Sequence, residues 1–197
     1  MAHMSLTAGN SMNRSTTTIG LVNPKTPENM GAVMRAAGCF DAQAILYTGE
    51  RYDRAARFNT DTKRRSLSIP LTQVSDLLAS QPKGATIVCV ELVEGATPLP
   101  DFTHPENAFY IFGPEDGTLS QQLIDQADAV IYIPTTGCLN LAATVNVVLY
   151  DRIAKSVETV KNDARIRQSR DTNNRVRVRK SPAAQSPAEA ESKPQSN

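Results

Sequence analysis

Arg35 and the polar residues before it form the first candidate site in this sequence. The segment combines a proline-bearing turn with the start of a predicted helix that carries Asn29, Gly31 and Arg35. Asn29 is able to hydrogen-bond near the helix N-terminus. Gly31 permits close approach of another backbone, and Arg35 follows it by about one turn on the same side. An arginine that faces the strand ends supplies a fixed cation to a phosphate or an attacking oxygen. The alternative is an exposed arginine in a surface ion pair.

Gly113 and Glu115 form the second candidate site, in a turn that joins a predicted strand to a helix. Ligands of open α/β sheets bind just beyond the carboxyl ends of strands. We therefore expect Gly113 to let a ligand approach the backbone and Glu115 to be held at a helix N-terminus. A tight strand-to-helix turn without a ligand is the alternative. The segment has neither the G-x-G-x-x-G fingerprint of dinucleotide-binding folds nor a P-loop.

The third candidate site is a short polar loop that follows Ile133 and Pro134 and leads into a long helix. It contains Cys138 and Leu139, and Asn140 falls at the first turn of the helix. The Asn140 amide is placed either to pin the loop or to contact a ligand. An ordinary connection between a strand and a helix is the alternative.

These three segments need a scaffold that brings them together. Short apolar runs predict strands over 18–22, 44–47, 85–92, 108–112 and 129–133. Hydrophobic spacing predicts helices over 27–40, 71–80, 119–126 and 139–160. Near-continuous apolar strands that alternate with helices are typical of an α/β fold, in which a mainly parallel sheet is covered by helices on both faces.

The composition is that of one soluble globular domain with tails. The chain has 197 residues, of which 40% are hydrophobic and 21% charged. Its three cysteines, Cys39, Cys89 and Cys138, are odd in number and widely spaced. That spacing argues against a disulfide framework and a metal site, so we expect small buried thiols.

The sequence also predicts where the protein works. No apolar run reaches the length of a membrane span, and no signal peptide is recognisable. We therefore expect a cytoplasmic protein without a membrane partner. Residues 1–4 are typical of a cloning remnant, with Met4 as the expected native start.

Two basic segments are candidates for contact with a nucleic acid. The net charge of +1 favours no partner, so local charge has to decide. The first segment contains Arg51, Arg54, Arg57, Lys63, Arg64 and Arg65. The second spans 161–180 and is richer in arginine than in lysine, which favours phosphate contact. A solvated surface is the alternative for both segments.

Taken in order, the three candidate sites resemble the motifs of a known family. N-x-G-x-x-x-R, F-G-P-E and I-P followed by L-N-L, over roughly residues 18–155, are similar to the three motifs of the SpoU, or TrmH-like, RNA ribose 2′-O-methyltransferases of the SPOUT class. The resemblance implies methyl transfer from S-adenosylmethionine to a ribose 2′-hydroxyl of tRNA or rRNA. It further implies a C-terminal trefoil knot, and a homodimer with its active sites at the interface.

The resemblance also implies roles for individual residues. The expected catalytic residues are Arg35, Asn29, Glu115 and Asn140. The expected cofactor-binding residues are Val90, Glu91, Gly113, Ile133, Cys138 and Leu139. For RNA binding we expect Arg35, from the resemblance, and, from the charge of the first basic segment, Arg51, Arg54, Lys63, Arg64 and Arg65. Because a guanidinium stays protonated, we expect Arg35 to stabilise the developing alkoxide and not to act as a base.

The sequence departs from the family pattern at two positions. Thr118 precedes Leu119 where the family usually has glycine, and Cys138 stands where it usually has serine. Two alternatives therefore stay open: a non-catalytic RNA-binding protein on the same fold, and an enzyme of the class that methylates a base.

We expect three regions along the chain. Residues 1–17 form a disordered N-terminal segment, and residues 18–160 form the methyltransferase domain. Residues 161–197 form a tail that is first basic, then of low complexity and disordered.

Overall fold

The structure is a computed structural model that describes residues 15–58, 69–156, 163–170 and 172–178. The chain divides into two units, Met1–Thr159 and Val160–Asn197. Of the residues 1–17 expected to be disordered, 1–14 lie outside the described residues, as does the expected disordered segment 181–197, whereas Thr16 and Thr17 begin the first strand. In the second unit the structure describes one helix, within the segment expected to be a basic tail.

A seven-stranded sheet forms the centre of the first unit. Its strands are β1 Thr16–Leu21, β2 Ala44–Tyr47, β3 Leu71–Gln73, β4 Thr86–Val90, β5 Thr97–Pro98, β6 Asn107–Phe112 and β7 Ala129–Tyr132. Their spatial order is β3-β2-β1-β6-β4-β7-β5, and every neighbouring pair is parallel. The carboxyl ends of β4, β6 and β7, which precede two of the three candidate sites, therefore lie side by side.

Five helices are described; the first three lie between strands in the sequence, and the last two follow the final strand. They are α1 Pro27–Cys39, α2 Arg51–Phe58, α3 Gln121–Asp125, α4 Leu141–Lys155 and, in the second unit, α5 Asp163–Ser169. A short 3-10 helix spans Leu99–Asp101. Among the described residues no helix is long and apolar enough to span a bilayer.

The sheet buries both of its faces, because successive side chains of a strand point to opposite sides. On β6, Tyr110 and Phe112 pack into a cluster with α1 and α4. Phe109 and Ile111 of the same strand pack into a second cluster, with Leu119 and side chains of α3. This arrangement confirms the predicted α/β fold with a parallel sheet covered on both faces. The trefoil knot stays a prediction.

Helix α1 begins where the sequence predicts. The Thr26 hydroxyl accepts a hydrogen bond from the Asn29 amide at 3.4 Å, and Pro27 occupies the first helical turn. Met30, Val33 and Ala37 are fully buried, so this side of the helix packs on the sheet.

The prediction of a helix over 71–80 is wrong. The structure has the short strand β3 there, followed by turns. Leu71 pairs with Ile45 of β2, and the Val74 amide donates to the Tyr47 carbonyl at 2.8 Å. The Asp76 carboxylate then accepts hydrogen bonds from the amides of residues 78 and 79, but the amides of residues 80 and 81 donate to carbonyls only three positions back, which makes turns and not an α-helix.

Other elements differ from the sequence-based expectation. Helix α2 occupies the basic segment, to which the sequence assigned no element, and β5 was also missed. Helix α4 ends at Lys155 and not near 160. Only Cys89 is a buried thiol, and burial raises its pKa to about 12. Cys39 and Cys138 are exposed, because one ends α1 and the other lies in a surface loop.

Candidate functional site

A cavity of about 250 Å³ lies at the carboxyl edge of the sheet. It is bounded by the segments that follow β4, β6 and β7, which end next to one another. All the residues expected to bind a cofactor line it: Val90, Glu91, Gly113, Ile133, Cys138 and Leu139. Three of the residues expected to be catalytic, Asn29, Glu115 and Asn140, line it as well. The fold thus brings segments from distant parts of the sequence into one concave site.

Glu91 ties two of these segments together. One of its carboxylate oxygens accepts a hydrogen bond from the Leu92 amide at 2.9 Å, and the other from the Leu119 amide at 2.8 Å. A Cβ atom at position 113 would lie 3.1 Å from the second of these oxygens. A side chain at position 113 would therefore push the Glu91 carboxylate by a few tenths of an ångström, and Glu91 has a structural role in the cavity wall.

Glu115 clamps the second candidate site onto the first. Its carboxylate accepts hydrogen bonds from the Lys25 amide at 2.8 Å, the Thr26 amide at 3.0 Å and the Asn29 side chain at 3.2 Å. Burial raises the pKa of Glu115, but the hydrogen bonds from Thr26, Asn29 and Lys25 outweigh it and hold the pKa below its usual value. Glu115 is thus an ionised acceptor that orders the start of α1 beside the cavity.

Asp116, the next residue, carries an exposed ion-pair cluster at the rim. Its carboxylate accepts two hydrogen bonds from the Arg51 guanidinium, at 2.9 and 2.7 Å, and one from the Lys25 ammonium at 3.2 Å. The hydrogen bonds from Arg51 and then from Lys25 lower the pKa of Asp116 to about 2. The carboxylate is therefore ionised at neutral pH. We call Lys25, Arg51 and Asp116 the rim cluster.

Asn140 pins the third candidate site. Its side-chain oxygen accepts a hydrogen bond from the Ala143 amide at 2.7 Å and so caps α4. The Thr135 hydroxyl donates to the Gly137 carbonyl at 2.6 Å, which orders the loop before the cap. Leu139 is 40% exposed and faces the cavity, together with the exposed Cys138.

Arg35 lies outside the cavity lining of its own chain. It is exposed on α1, and it makes no ion pair with any residue in the described parts of the chain. Arg35 follows Asn29 by six residues, about 9 Å along the helix axis and roughly 240° around it, so the two side chains face different directions. The Cβ that an alanine would place at Gly31 meets nothing within 4 Å. This side of α1 is uncovered in the single chain.

The expected RNA-binding residues separate into two groups. Arg51 belongs to the rim cluster, and Arg54 pairs with Glu50 at 2.7 Å on the exposed side of α2. Lys63, Arg64 and Arg65 lie outside the described residues. In the part of the chain that the structure describes, no group of three or more His, Cys, Asp or Glu side chains could hold a metal ion.

The rim cluster is a feature that sequence reasoning missed. Lys25 and Asp116 are 91 positions apart, and Arg51 and Asp116 are 65 apart. The three charged residues are visible in the sequence, and Lys25 and Asp116 lie within candidate sites. No local spacing indicated that they pair. Tyr132 and Thr144 also line the cavity without having been singled out.

Comparison with known proteins extends these observations. Residues 16–150 match the model of the SpoU rRNA Methylase family. None of the curated proteins matches this chain.

Several solved structures share the fold. The AdoMet-bound rRNA methyltransferase from Sinorhizobium meliloti is 21% identical, with a TM-score of 0.60, and the match covers 72% of this chain and 57% of that one. A protein studied for 2-OH methylation of C/U34 on tRNA is 23% identical, with a TM-score of 0.58, covering 71% of this chain and 90% of that one. AviRb from Streptomyces viridochromogenes, a SpoU methyltransferase in complex with AdoMet, is 20% identical, with a TM-score of 0.56, covering 74% and 61%. This chain therefore spans little more than half of the first of these structures.

Proposed function

This chain belongs to the SpoU rRNA methylase family, and from that premise we propose that it transfers a methyl group from S-adenosylmethionine to a ribose 2′-hydroxyl of tRNA or rRNA. One observation carries the proposal. The six cofactor-binding residues expected from three separated segments all line a single cavity at the carboxyl edge of the sheet. A cytoplasmic location is part of the same proposal.

The residues that line or border the cavity fit S-adenosylmethionine. Leu92 and Leu139, 53% and 40% exposed, offer apolar contacts for a flat base, and Gly113 leaves the backbone accessible. Loop backbone near Ile133 and Cys138 would hold the polar parts of the molecule. When bound, the cofactor supplies a methyl group on a sulfonium. The protein's residues orient the ribose hydroxyl against that methyl and keep the pocket ordered.

Arg35 is the proposed electrostatic activator of that hydroxyl. A permanently charged guanidinium stabilises an oxygen that loses its proton. Since Arg35 lies on the uncovered side of α1, we propose that it acts in the cavity of a second copy of the chain. Val147 and Tyr150 of α4, 37% and 65% exposed, provide an apolar surface for such a homodimer. The uncovered Gly31 permits close approach of the two copies.

The non-catalytic alternative is favoured by one observation. Cys138 lines the cavity at the position where the family usually has serine. A thiol is a weaker hydrogen-bond donor than a hydroxyl, so cofactor binding in this loop is weakened if the serine contact is essential.

Two measurements test the proposed function. Calorimetry should detect S-adenosylmethionine binding, and mass spectrometry of nucleosides from a treated RNA pool should find a 2′-O-methylated ribose. A methylated base would identify the base-methylating alternative. RNA binding without cofactor binding at millimolar concentration would identify the non-catalytic one.

Substitution of Arg35 tests its role. Arg35→Ala should lower methylation about 100- to 1,000-fold, the range seen when one oxyanion-stabilising donor is removed, and leave cofactor affinity within about threefold. Lys83→Ala, which removes an exposed cation that does not line the cavity, is the matched control. Equal activity of the two variants would remove Arg35 from the mechanism.

A further inference from the structure

We propose that Lys25 and Arg51 form a binding site for an RNA backbone phosphate beside the cavity, and that Asp116 occupies this site while RNA is absent. The inference rests on the proposed function, since it assumes an RNA substrate. It goes beyond the RNA contact expected of Arg51, because it adds Lys25, names a phosphate as the bound group and makes Asp116 an internal competitor.

The geometry of the rim cluster is that of an anion held by two cations. The Arg51 guanidinium contacts both oxygens of Asp116 at 2.9 and 2.7 Å, and the Lys25 ammonium contacts one of them at 3.2 Å. A planar guanidinium binds carboxylate and phosphate oxygens with the same paired geometry. The carboxylate thus stands where two oxygens of a phosphodiester can bind.

The cluster lies next to the cavity. Asp116 is flanked by Glu115 and Gly117, which both line the cavity. Lys25 is anchored at the same place, because its amide donates to the Glu115 carboxylate at 2.8 Å. A phosphate at the rim cluster would therefore belong to a nucleotide near the one whose ribose enters the cavity.

Exposure makes the exchange feasible. The side chains of Lys25, Arg51 and Asp116 are 54%, 30% and 48% exposed. Exposed ion pairs contribute little to stability, so an arriving phosphate can replace the carboxylate. Glu115 is also ionised and acts on Arg51, so the two cations and two carboxylates balance. A phosphate therefore gains the full attraction of both cations only by displacing Asp116.

The experiment compares Asp116→Asn with Asp125→Asn. Both variants remove one exposed negative charge, but Asp125 accepts a hydrogen bond only from the neutral Gln121 among its described partners. The probe is a fluorescein-labelled tRNA transcript, since phosphate contacts carry no sequence information directly. Affinity is measured by anisotropy from low to physiological salt.

Asp116→Asn should bind the transcript about two- to fivefold more tightly than the wild type at low salt. The slope of log affinity against log salt concentration should become steeper by about 0.7–0.9. In the wild type the displaced Asp116 carboxylate takes up a counterion, which offsets the counterion that the bound phosphate releases. The variant has no carboxylate at this position, so the release is not offset. Asp125→Asn should change affinity less than twofold. Adding Arg51→Gln to Asp116→Asn should remove the gain.

The opposite result is equally specific. If Asp116→Asn matches Asp125→Asn, or binds more weakly than the wild type, Asp116 is not a competitor and the inference is overturned. Calorimetry with S-adenosylmethionine and methylation of an RNA pool report on the proposed function separately. An inactive protein without cofactor binding refutes that function, and an active enzyme with unchanged Asp116→Asn affinity refutes only this inference.

Discussion

The rim cluster and a buried network beneath α4 are both built from charged and polar side chains, yet they suit different tasks. In the rim cluster the side chains of Lys25 and Asp116 are each about half exposed. In the buried network the His104 side chain is only 5% exposed. The same kinds of hydrogen bond are exchanged more readily at the surface than around the buried His104, because water competes more strongly for exposed groups.

The buried network fixes the end of α4 to the sheet. His104 Nδ1 lies 2.6 Å from the Tyr110 hydroxyl, and His104 Nε2 lies 2.9 Å from the Asp151 carboxylate. Arg152 donates to the same hydroxyl at 3.2 Å and to the Pro105 carbonyl at 2.6 Å. A neutral imidazole satisfies every one of these groups when Tyr110 donates to Nδ1 and Nε2–H donates to Asp151.

The comparison indicates what each region can contribute to function. The network joins four side chains to one another and to the backbone within the chain, so it can hold the end of α4 in one position. The rim cluster keeps exposed atoms that a substrate can reach. Glu115 shares features of both regions. It lies at the cavity, but its carboxylate accepts several hydrogen bonds from within the chain, as the groups of the buried network do.

The largest effect expected from this comparison tests the mixed character of Glu115. Glu115→Gln should reduce methylation about 10- to 100-fold and weaken cofactor binding, because its amide nitrogen would face the donors of Lys25 and Thr26. Glu50→Gln, which alters an exposed carboxylate paired with Arg54, should stay within twofold. Steady-state kinetics and calorimetry measure both. Wild-type kinetics for Glu115→Gln would mean that the hydrogen bonds of this carboxylate are as dispensable as those of the rim cluster.

The next effect concerns the buried network. Tyr110→Phe removes a hydroxyl shared by His104 and Arg152, and it should lower the free energy of unfolding by about 1–3 kcal/mol. Activity per folded molecule should stay near that of the wild type, since the network does not reach the cavity. Urea unfolding gives the free energy, and assays well below the melting temperature give the activity. A stable but inactive variant would contradict the structural role.

A smaller effect is a pH dependence of stability. Burial lowers the pKa of His104 from its usual 6.5, although Asp151 raises it, so the folded protein favours the neutral ring. The unfolded chain therefore binds more protons below pH 6.5. Stability from this residue is complete above pH 6.5 and is lost as the pH falls toward the folded-state pKa.

His104→Gln tests this dependence, because it keeps hydrogen-bonding atoms but cannot titrate. The variant should be less stable than the wild type at pH 7.5, and the difference should shrink as the pH falls from 6.5 to 5. Urea unfolding at several pH values measures it. A difference that grows toward acid pH would mean that the folded protein prefers the charged ring.

The smallest effect is at the rim. Asp116→Asn should change the melting temperature by less than about 2 °C, since exposed ion pairs contribute little. Thermal unfolding of this variant beside Tyr110→Phe measures the contrast directly. A larger drop for Asp116→Asn would show that the rim cluster holds the fold and is not exchangeable.

Much of the fold was predictable from local sequence. Strand β2 lies where its apolar run predicts, and α1 begins at the predicted proline, because a capping threonine and buried residues at helical spacing act over short distances. The three motifs were recognisable for the same reason, since each is a contiguous turn between a strand and a helix. The residues expected to bind a cofactor line one cavity.

Long-range contacts decided the rest. The segment at 71–80 has a spacing compatible with a helix, but pairing with β2 made Leu71–Gln73 a strand. The spacing of Arg35 and Asn29 shows only that the two side chains diverge. Which of them lines the cavity follows from where α1 packs on the sheet.

By itself, the sequence determined the alternation of strands and helices and the residue types at the strand ends, because these depend on neighbours within a few positions. Only the tertiary structure decided that Asp116 meets Arg51 and Lys25, 65 and 91 positions away, and that His104 is buried against Asp151. Such pairs form because parallel strands bring remote turns to one edge and a helix packs back over the sheet. No local pattern encodes which remote turns will meet.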